Sequence, residues 1–138
     1  MNKNPVILID DDKDDRELFE QAFSELNLEN ELIIFDDGLK FYDFIRTTDI
    51  KTFFILCDMN MNKIGGLELK KMIFEEDRLR IKCIPFLMMS SGKASPRIEE
   101  AYSLNVQGYF MKPNSFEGIK EILRAMCTYW DFASHPNK

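Results

Sequence analysis

Cysteine is scarce in this 138-residue chain: Cys57, Cys83 and Cys127 are odd in number, far apart and without a Cys-x-x-Cys pair. That pattern suits neither a disulfide framework nor a zinc site, and it points to a reducing compartment. Long apolar runs are missing too. No stretch approaches the roughly 18 residues of a membrane span, and the polar opening Met1-Asn2-Lys3-Asn4-Pro5 does not fit a signal peptide, so a cytoplasmic protein with no membrane partner is expected. Basic charge is short: 18 Lys and Arg stand against 24 Asp and Glu, a net charge of −6. A broad basic face for nucleic acid is thereby excluded. Repeats, linkers and low-complexity tracts are absent, which predicts one domain over 1–138, with a core of about 5–127 and a helix extension and tail over 128–138.

What is present is alternation. Val6-Ile7-Leu8-Ile9 reads as a buried strand, followed by a helix from Asp14 to Leu26 with Leu18, Phe19, Ala22, Phe23 and Leu26 on one stripe. Glu31 to Phe35 is a second strand, and Asp37-Gly38 turns into a helix carrying Leu39, Tyr42 and Ile45. Phe53 to Cys57 is the third strand, then Gly65-Gly66 and a helix with Leu69, Met72 and Ile73. Ile84 to Met89 is the fourth strand, with Ser95-Pro96 as the next helix start. Val106 to Met111 is the fifth, and a last helix from Ser115 carries Phe116, Ile119, Leu123, Met126 and Trp130. Five β-then-α units with apolar strands predict a parallel sheet covered on both faces. The expected fold is α/β, doubly wound and flavodoxin-like, in the order 2-1-3-4-5.

Polar groups follow the strands: Asp10-Asp11-Asp12, Asp58, Ser90-Ser91 and Lys112-Pro113. In an open parallel sheet the carboxyl ends share one edge, so these side chains are placed to converge. Two carboxylates ~4 Å apart repel by roughly 4 kcal/mol at an effective dielectric of 20. Asp10, Asp11 and Asp58 together need a cation or raised pKa values. All-oxygen ligands with room for water suit Mg²⁺. A lysine and a serine beside it would clamp a phosphoryl group, with a carboxylate as nucleophile.

Ile7-Leu8-Ile9-Asp10-Asp11, Leu56-Cys57-Asp58 with Gly65-Gly66, Met88-Met89-Ser90 and Gly108-Tyr109-Phe110-Met111-Lys112-Pro113 resemble the receiver domain of two-component response regulators. The likeness runs from about Pro5 to Cys127. It implies that Asp58 is the phosphoacceptor, that Asp11 binds Mg²⁺ directly and Asp10 through a metal-bound water, and that Asn60 offers its backbone carbonyl. Ser90 and Lys112 would meet phosphoryl oxygens, and Tyr109 would turn inward as the Ser90 loop moves. Lys112-Pro113 would be cis. The chain departs from the family at Asn62, where proline is usual, and at Gly65, and both loosen that loop. Asn60 and Gly92 stand where the family tunes dephosphorylation.

Several residues carry plainer readings. Asp14 and Asp15 suit an acidic first helical turn at the positive dipole end. Tyr109 is also readable as a half-buried core tyrosine, and Cys57 as an inert buried hydrophobe. His135 has no partner evident in the sequence and is not catalytic, since in this family the phosphodonor histidine belongs to the kinase. A second stripe, Ile122, Met126, Tyr129 and Ala133, makes the fourth and fifth helices a candidate homodimer or effector face.

The implied function is a receiver without an output domain of its own, phosphorylated by a sensor histidine kinase or phosphotransfer protein and signalling to a downstream effector. It would not be an enzyme beyond its own phosphorylation and dephosphorylation. The opening from Ile9 to Phe19 is similar to free-standing receivers that partner phytochrome-type kinases. A small Mg²⁺-dependent aspartyl-phosphate hydrolase is the alternative, but it would carry an acid at Asn60 and need a cap domain. A flavodoxin relative would need a Ser/Thr-rich phosphate loop where this chain has carboxylates.

Overall fold

The computed structural model describes residues 2–91 and 97–137; the Gly92 position and the Ser95-Pro96 helix start lie outside the described residues. The elements are β1 (Val6–Ile9), α1 (Lys13–Glu25), β2 (Leu32–Phe35), α2 (Gly38–Thr47), β3 (Phe54–Asp58), α3 (Gly66–Glu75), α4 (Asp77–Arg80), β4 (Phe86–Ser90), α5 (Ile98–Ser103), β5 (Gly108–Met111) and α6 (Phe116–Phe132). All strand pairs are parallel and the order is β2-β1-β3-β4-β5, as the alternation predicts. Because consecutive strand residues point to opposite faces, β1, β3 and β4 feed two cores. Ile7, Ile9, Ile55, Cys57, Phe86 and Met88 pack toward α2 and α3. Val6, Leu8, Phe54, Leu56, Leu87 and Met89 pack toward α1 and α6.

The helix ends follow from local chemistry. Asp12 caps α1 by accepting from the Asp14 and Asp15 N–H groups, Asp37 caps α2 through the Leu39 N–H, and Ser115 caps α6 through the Gly118 N–H. Two stripes differ from the sequence reading. Leu18 is 39% exposed, while Phe19, Ala22 and Phe23 carry the buried face of α1. On α2 the buried face is Gly38, Phe41 and Ile45, whereas Leu39 is 43% exposed. Leu39 lies about 200° around the helix from Phe41 at 3.6 residues per turn, so the two cannot share a face. Tyr42 is half-buried, its hydroxyl donating to Glu76. The one-turn α4 was not foreseen, so the expected fourth and fifth helices are α5 and α6.

Two further expectations are corrected. Among the described residues no peptide bond is cis, so Lys112-Pro113 is trans. Trans is the lower state of an X-Pro bond by about 0.5–1 kcal/mol, and with it the Lys112 N–H still reaches the Ser90 carbonyl at 2.8 Å. His135 does have partners. It is buried against Phe53 and Trp130, and its Nδ1 accepts from the Asn137 N–H at 2.9 Å. Nε2 therefore carries the hydrogen and donates to the Phe53 carbonyl. The Asn137 carbonyl in turn accepts from the Asn2 and Asn4 side-chain amides at 2.7 and 3.0 Å. The tail is thus pinned under the amino ends of β1 and β3.

Phe41, fully buried with its ring edge-on to Phe35 at 5.6 Å, tests which α2 stripe is the core. Phe41→Ala should lower unfolding free energy by about 3–5 kcal/mol and Leu39→Ala by about 0.5 kcal/mol. Urea titration of the two variants measures the difference, and equal losses would contradict the assignment.

Candidate metal centre at the strand ends

Parallel pairing brings the carboxyl ends of β1, β3, β4 and β5 to one edge, and the four polar positions read from sequence meet there. Asp10 is fully buried after β1 and Asp58 is 4% exposed at the end of β3. One carboxylate oxygen each from Asp10, Asp11 and Asp58 lies within 4.8 Å of the others. The Lys112 side chain, 6% exposed, reaches across from beyond β5: its Nζ lies 3.0 Å from Asp10 Oδ2, 2.8 Å from Asp15 Oδ2 and 3.6 Å from Asp58 Oδ2.

Asp15 is the site residue that sequence reasoning missed, having been read only as a first-turn acid. The usable signal was Asp12 as helix cap. It makes Asp15 the third helical residue, whose side chain leans back toward the helix start and the strand end.

The loop after β3 is tied rather than loose. The Asn60 N–H donates to Asp58 Oδ1 at 3.3 Å, the Gly66 N–H to the Met59 carbonyl at 2.9 Å and the Asn62 N–H to Asp11 Oδ2 at 2.8 Å. Proline at position 62 would have no N–H for that last bond, so this departure from the family supplies a direct hold on a site carboxylate. Gly66 is required by close approach, since a Cβ there would sit 2.7 Å from the Asp58 carbonyl oxygen.

Ser90 ends β4 with 2% exposure, and among the described residues its Oγ makes one hydrogen bond, to the Ser91 carbonyl at a long 3.5 Å. Among the described residues its hydroxyl is therefore weakly engaged. Tyr109 is half-buried against the α2–α3 core, and its hydroxyl donates to Met59 Sδ at 2.7 Å. It links β5 to the residue after Asp58. Cys57 is fully buried, and burial, with Asp58 and Asp10 adding to it, pushes its thiol well above the usual range. That is the inert cysteine expected.

The electrostatics leave negative charge unbalanced. Burial raises the Asp58 carboxyl to about 6 against an ordinary 3.8; Lys112 opposes this, while Asp10 and Asp11 add to it. Burial likewise raises Asp10 against the pull of the Asp12 N–H and Lys112. For Lys112 burial works against the charge, but the Asp15 hydrogen bond and the Asp10 and Asp58 charges outweigh it and hold its pKa above the ordinary value. Three carboxylates, those of Asp10, Asp15 and Asp58, share one ammonium, and the Asp11 carboxylate lies beside them. A set of three converging carboxylate oxygens with surplus negative charge is the donor chemistry of a hard divalent cation. Asp10, Asp11 and Asp58 fit one.

A family model described as the response regulator receiver domain matches residues 6–124. The chemotaxis protein CheY-3 of Vibrio cholerae serotype O1 is 30% identical over 124 residues, covering 89% of this chain and 92% of that one. The phosphorylated cyanobacterial phytochrome response regulator RcpA superposes with a TM-score of 0.84 at 22% identity, covering 97% of this chain and 98% of that one. The Mn²⁺-bound response regulator Rcp1 gives 0.80 at 22% identity, covering 96% and 97%.

The raised Asp58 carboxyl has a signed consequence. Between its unfolded value of 3.8 and its folded value of about 6, the folded chain binds more protons than the unfolded one. Its contribution therefore destabilises increasingly as pH rises through that window. Asp58→Asn should stabilise the metal-free protein at pH 7 by up to about 3 kcal/mol, with the gain vanishing near pH 4. Thermal unfolding across pH reads this out, and a gain that persists undiminished at pH 4 would assign it to something other than ionisation.

Proposed function

Since this chain belongs to the response regulator receiver domain family, we propose that it accepts a phosphoryl group on Asp58 and signals by changing shape. The donor is a sensor histidine kinase or phosphotransfer protein, the reaction depends on Mg²⁺, and the signal passes to a downstream effector. The observation that carries this reading is the Lys112 ammonium poised 3.6 Å from a buried, strand-ending carboxylate beside two further acids. An Asp58 oxygen bonds to phosphorus while the bond from phosphorus to the donor's imidazole nitrogen breaks. The electron pair leaves with that nitrogen, which takes up a proton. Asp58 must be ionised for this, and at pH 7 a carboxyl at about 6 largely is.

Asp10, Asp11, Asp58 and the Asn60 carbonyl would hold Mg²⁺, which would supply positive charge for the phosphoryl oxygens. Lys112 and the weakly engaged Ser90 hydroxyl supply the remaining donors. The chain acts on its own aspartate alone and is not an enzyme toward other substrates; it works in the cytoplasm. Among the described residues no helix is long and apolar enough to cross a membrane. The Mn²⁺ in Rcp1 and the phosphorylated state of RcpA support the same chemistry here. Together with the acidic opening, the phytochrome response regulators among the neighbours favour a phytochrome-type kinase as donor. The output face is α5, β5 and α6. There Tyr129 is exposed at a cavity of about 330 Å³ lined by Phe110, Met126, Tyr129 and Trp130, a surface for an effector or a second copy.

With Mg²⁺ and acetyl phosphate, intact mass should show one added phosphoryl group, absent in Asp58→Asn. Asp11→Ala should abolish Mg²⁺ binding in a titration while the fold stays as stable or gains, because one crowded carboxylate is gone. Phosphate persisting on Asp58→Asn, or unchanged metal affinity in Asp11→Ala, would refute the assignments.

Phosphorylation adds about −1.5 to −2 charge and three acceptor oxygens, which should draw Ser90 toward Asp58 and shift the Tyr109 contact to Met59. Amide exchange with and without a phosphoryl mimic and Mg²⁺ should then change across residues 90 to 130. Changes confined to the Asp11 and Asp58 loops would remove the proposed output face.

A further inference from the structure

Lys70 stands where a lysine is costly. It lies on the buried side of α3, 8% exposed, between Leu69 and Ile73. Among the described residues no carboxylate pairs with its ammonium and no carbonyl accepts from it. The charge instead hangs over two rings, 5.5 Å from the centre of Phe86 and 5.9 Å from that of Phe74. Burial alone pushes its pKa down, with no neighbouring acid to restore it. Cation–π contact returns only about 0.5–2 kcal/mol, and a methionine would fill the same space without the charge.

The ammonium borders a cavity of about 300 Å³ at the amino ends of β3 and β4, the opposite edge of the sheet from Asp58. Its walls are apolar, led by Ile55, Leu79 and Phe86, and its charged lining residues are Lys70 and Arg80, with no acid among them. Arg80 is paired with Asp77 at 2.6 Å, so among the described residues Lys70 is the lining cation that has no acid of its own. Cys83 and Asn105, with φ of 53° and 65°, also line it; left-handed backbone is unusual for cysteine and collects at ligand sites. The Gln107 side chain is held at the rim, accepting from the Phe86 N–H at 2.6 Å and donating to the Asn105 carbonyl at 2.8 Å.

We propose that this cavity binds a small organic carboxylate, its apolar body against Ile55 and Phe86 and its carboxylate on the Lys70 ammonium. The volume falls at the small end of ligand pockets. An apolar wall selects a hydrocarbon body, and a desolvated, unpaired ammonium selects one anionic head. The partner the ammonium lacks in the protein is supplied by the ligand.

Cys83 is a built-in reporter. It is exposed, whereas Cys57 and Cys127 are buried, and burial pushes the Cys127 thiol up to about 12. Octanoate should slow alkylation of Cys83 by iodoacetamide severalfold in the full chain. Octanol, with the same body and no charge, and inorganic phosphate, with charge and no body, should not. Lys70→Met should keep or raise the unfolding temperature and weaken octanoate binding, measured by calorimetry, about tenfold or more. Lys70→Gln repeats the comparison if the methionine variant does not fold. Octanol or phosphate protecting as well as octanoate, equal octanoate binding in the lysine variants, or no protection by octanoate would each overturn the proposal.

Discussion

One buried ammonium holds the functional edge of this molecule together. Lys112 touches Asp10 after β1, Asp15 from α1 and, more distantly, Asp58 at the end of β3. The consecutive β1 and α1 and the distant β3 are therefore registered against a single charge from beyond β5. The parallel sheet makes this feasible, since only parallel strands deliver all their carboxyl ends to the same edge. The arrangement stops short of balance. Four carboxylates and one lysine leave a surplus that burial makes costly, and the raised Asp10 and Asp58 carboxyls record that cost. The site is tense before any ligand arrives, so whatever brings positive charge is welcomed and whatever brings negative charge must recruit Lys112 from its present partners.

The distances give that competition a direction. Asp15 holds Lys112 at 2.8 Å while Asp58 holds it at 3.6 Å. A group of higher charge on Asp58 would tilt the lysine away from α1. Ser90 stands beside Lys112 through the backbone bond between Lys112 N–H and the Ser90 carbonyl, with its own hydroxyl barely occupied. Tyr109, three residues before Lys112, is tied to Met59, one residue after Asp58. Asp58 and its neighbour Met59 are thus linked to two strands without a long chain of intermediates.

Much of this was legible in the sequence because it rests on periodicity and strand-end position. The order of the strands, the convergence of Asp10, Asp11, Asp58, Ser90 and Lys112, and the start of the last helix near Ser115 are all local patterns projected onto a fold with few topologies. What escaped was what depends on how elements are rotated or packed. Phe41 rather than Leu39 faces the core because the Asp37 cap sets the phase of α2. Asp15 joined the site because Asp12 starts the helix one turn below it. His135 found Phe53 only because the tail doubles back under the sheet, and no window of sequence contains both partners. The Asn62 N–H on Asp11 was visible only as a missing proline; that the amide would be used required coordinates.

The doubled-back tail bears on how the chain can be rewired. Asn2 and Asn4 clasp the Asn137 carbonyl, so the two ends of the described chain meet at the foot of the sheet. Closing them into a ring would span almost no distance and cost little loop entropy. A reporter fused at either terminus would hang a full strand length, roughly 17 Å for five residues, from the acidic edge.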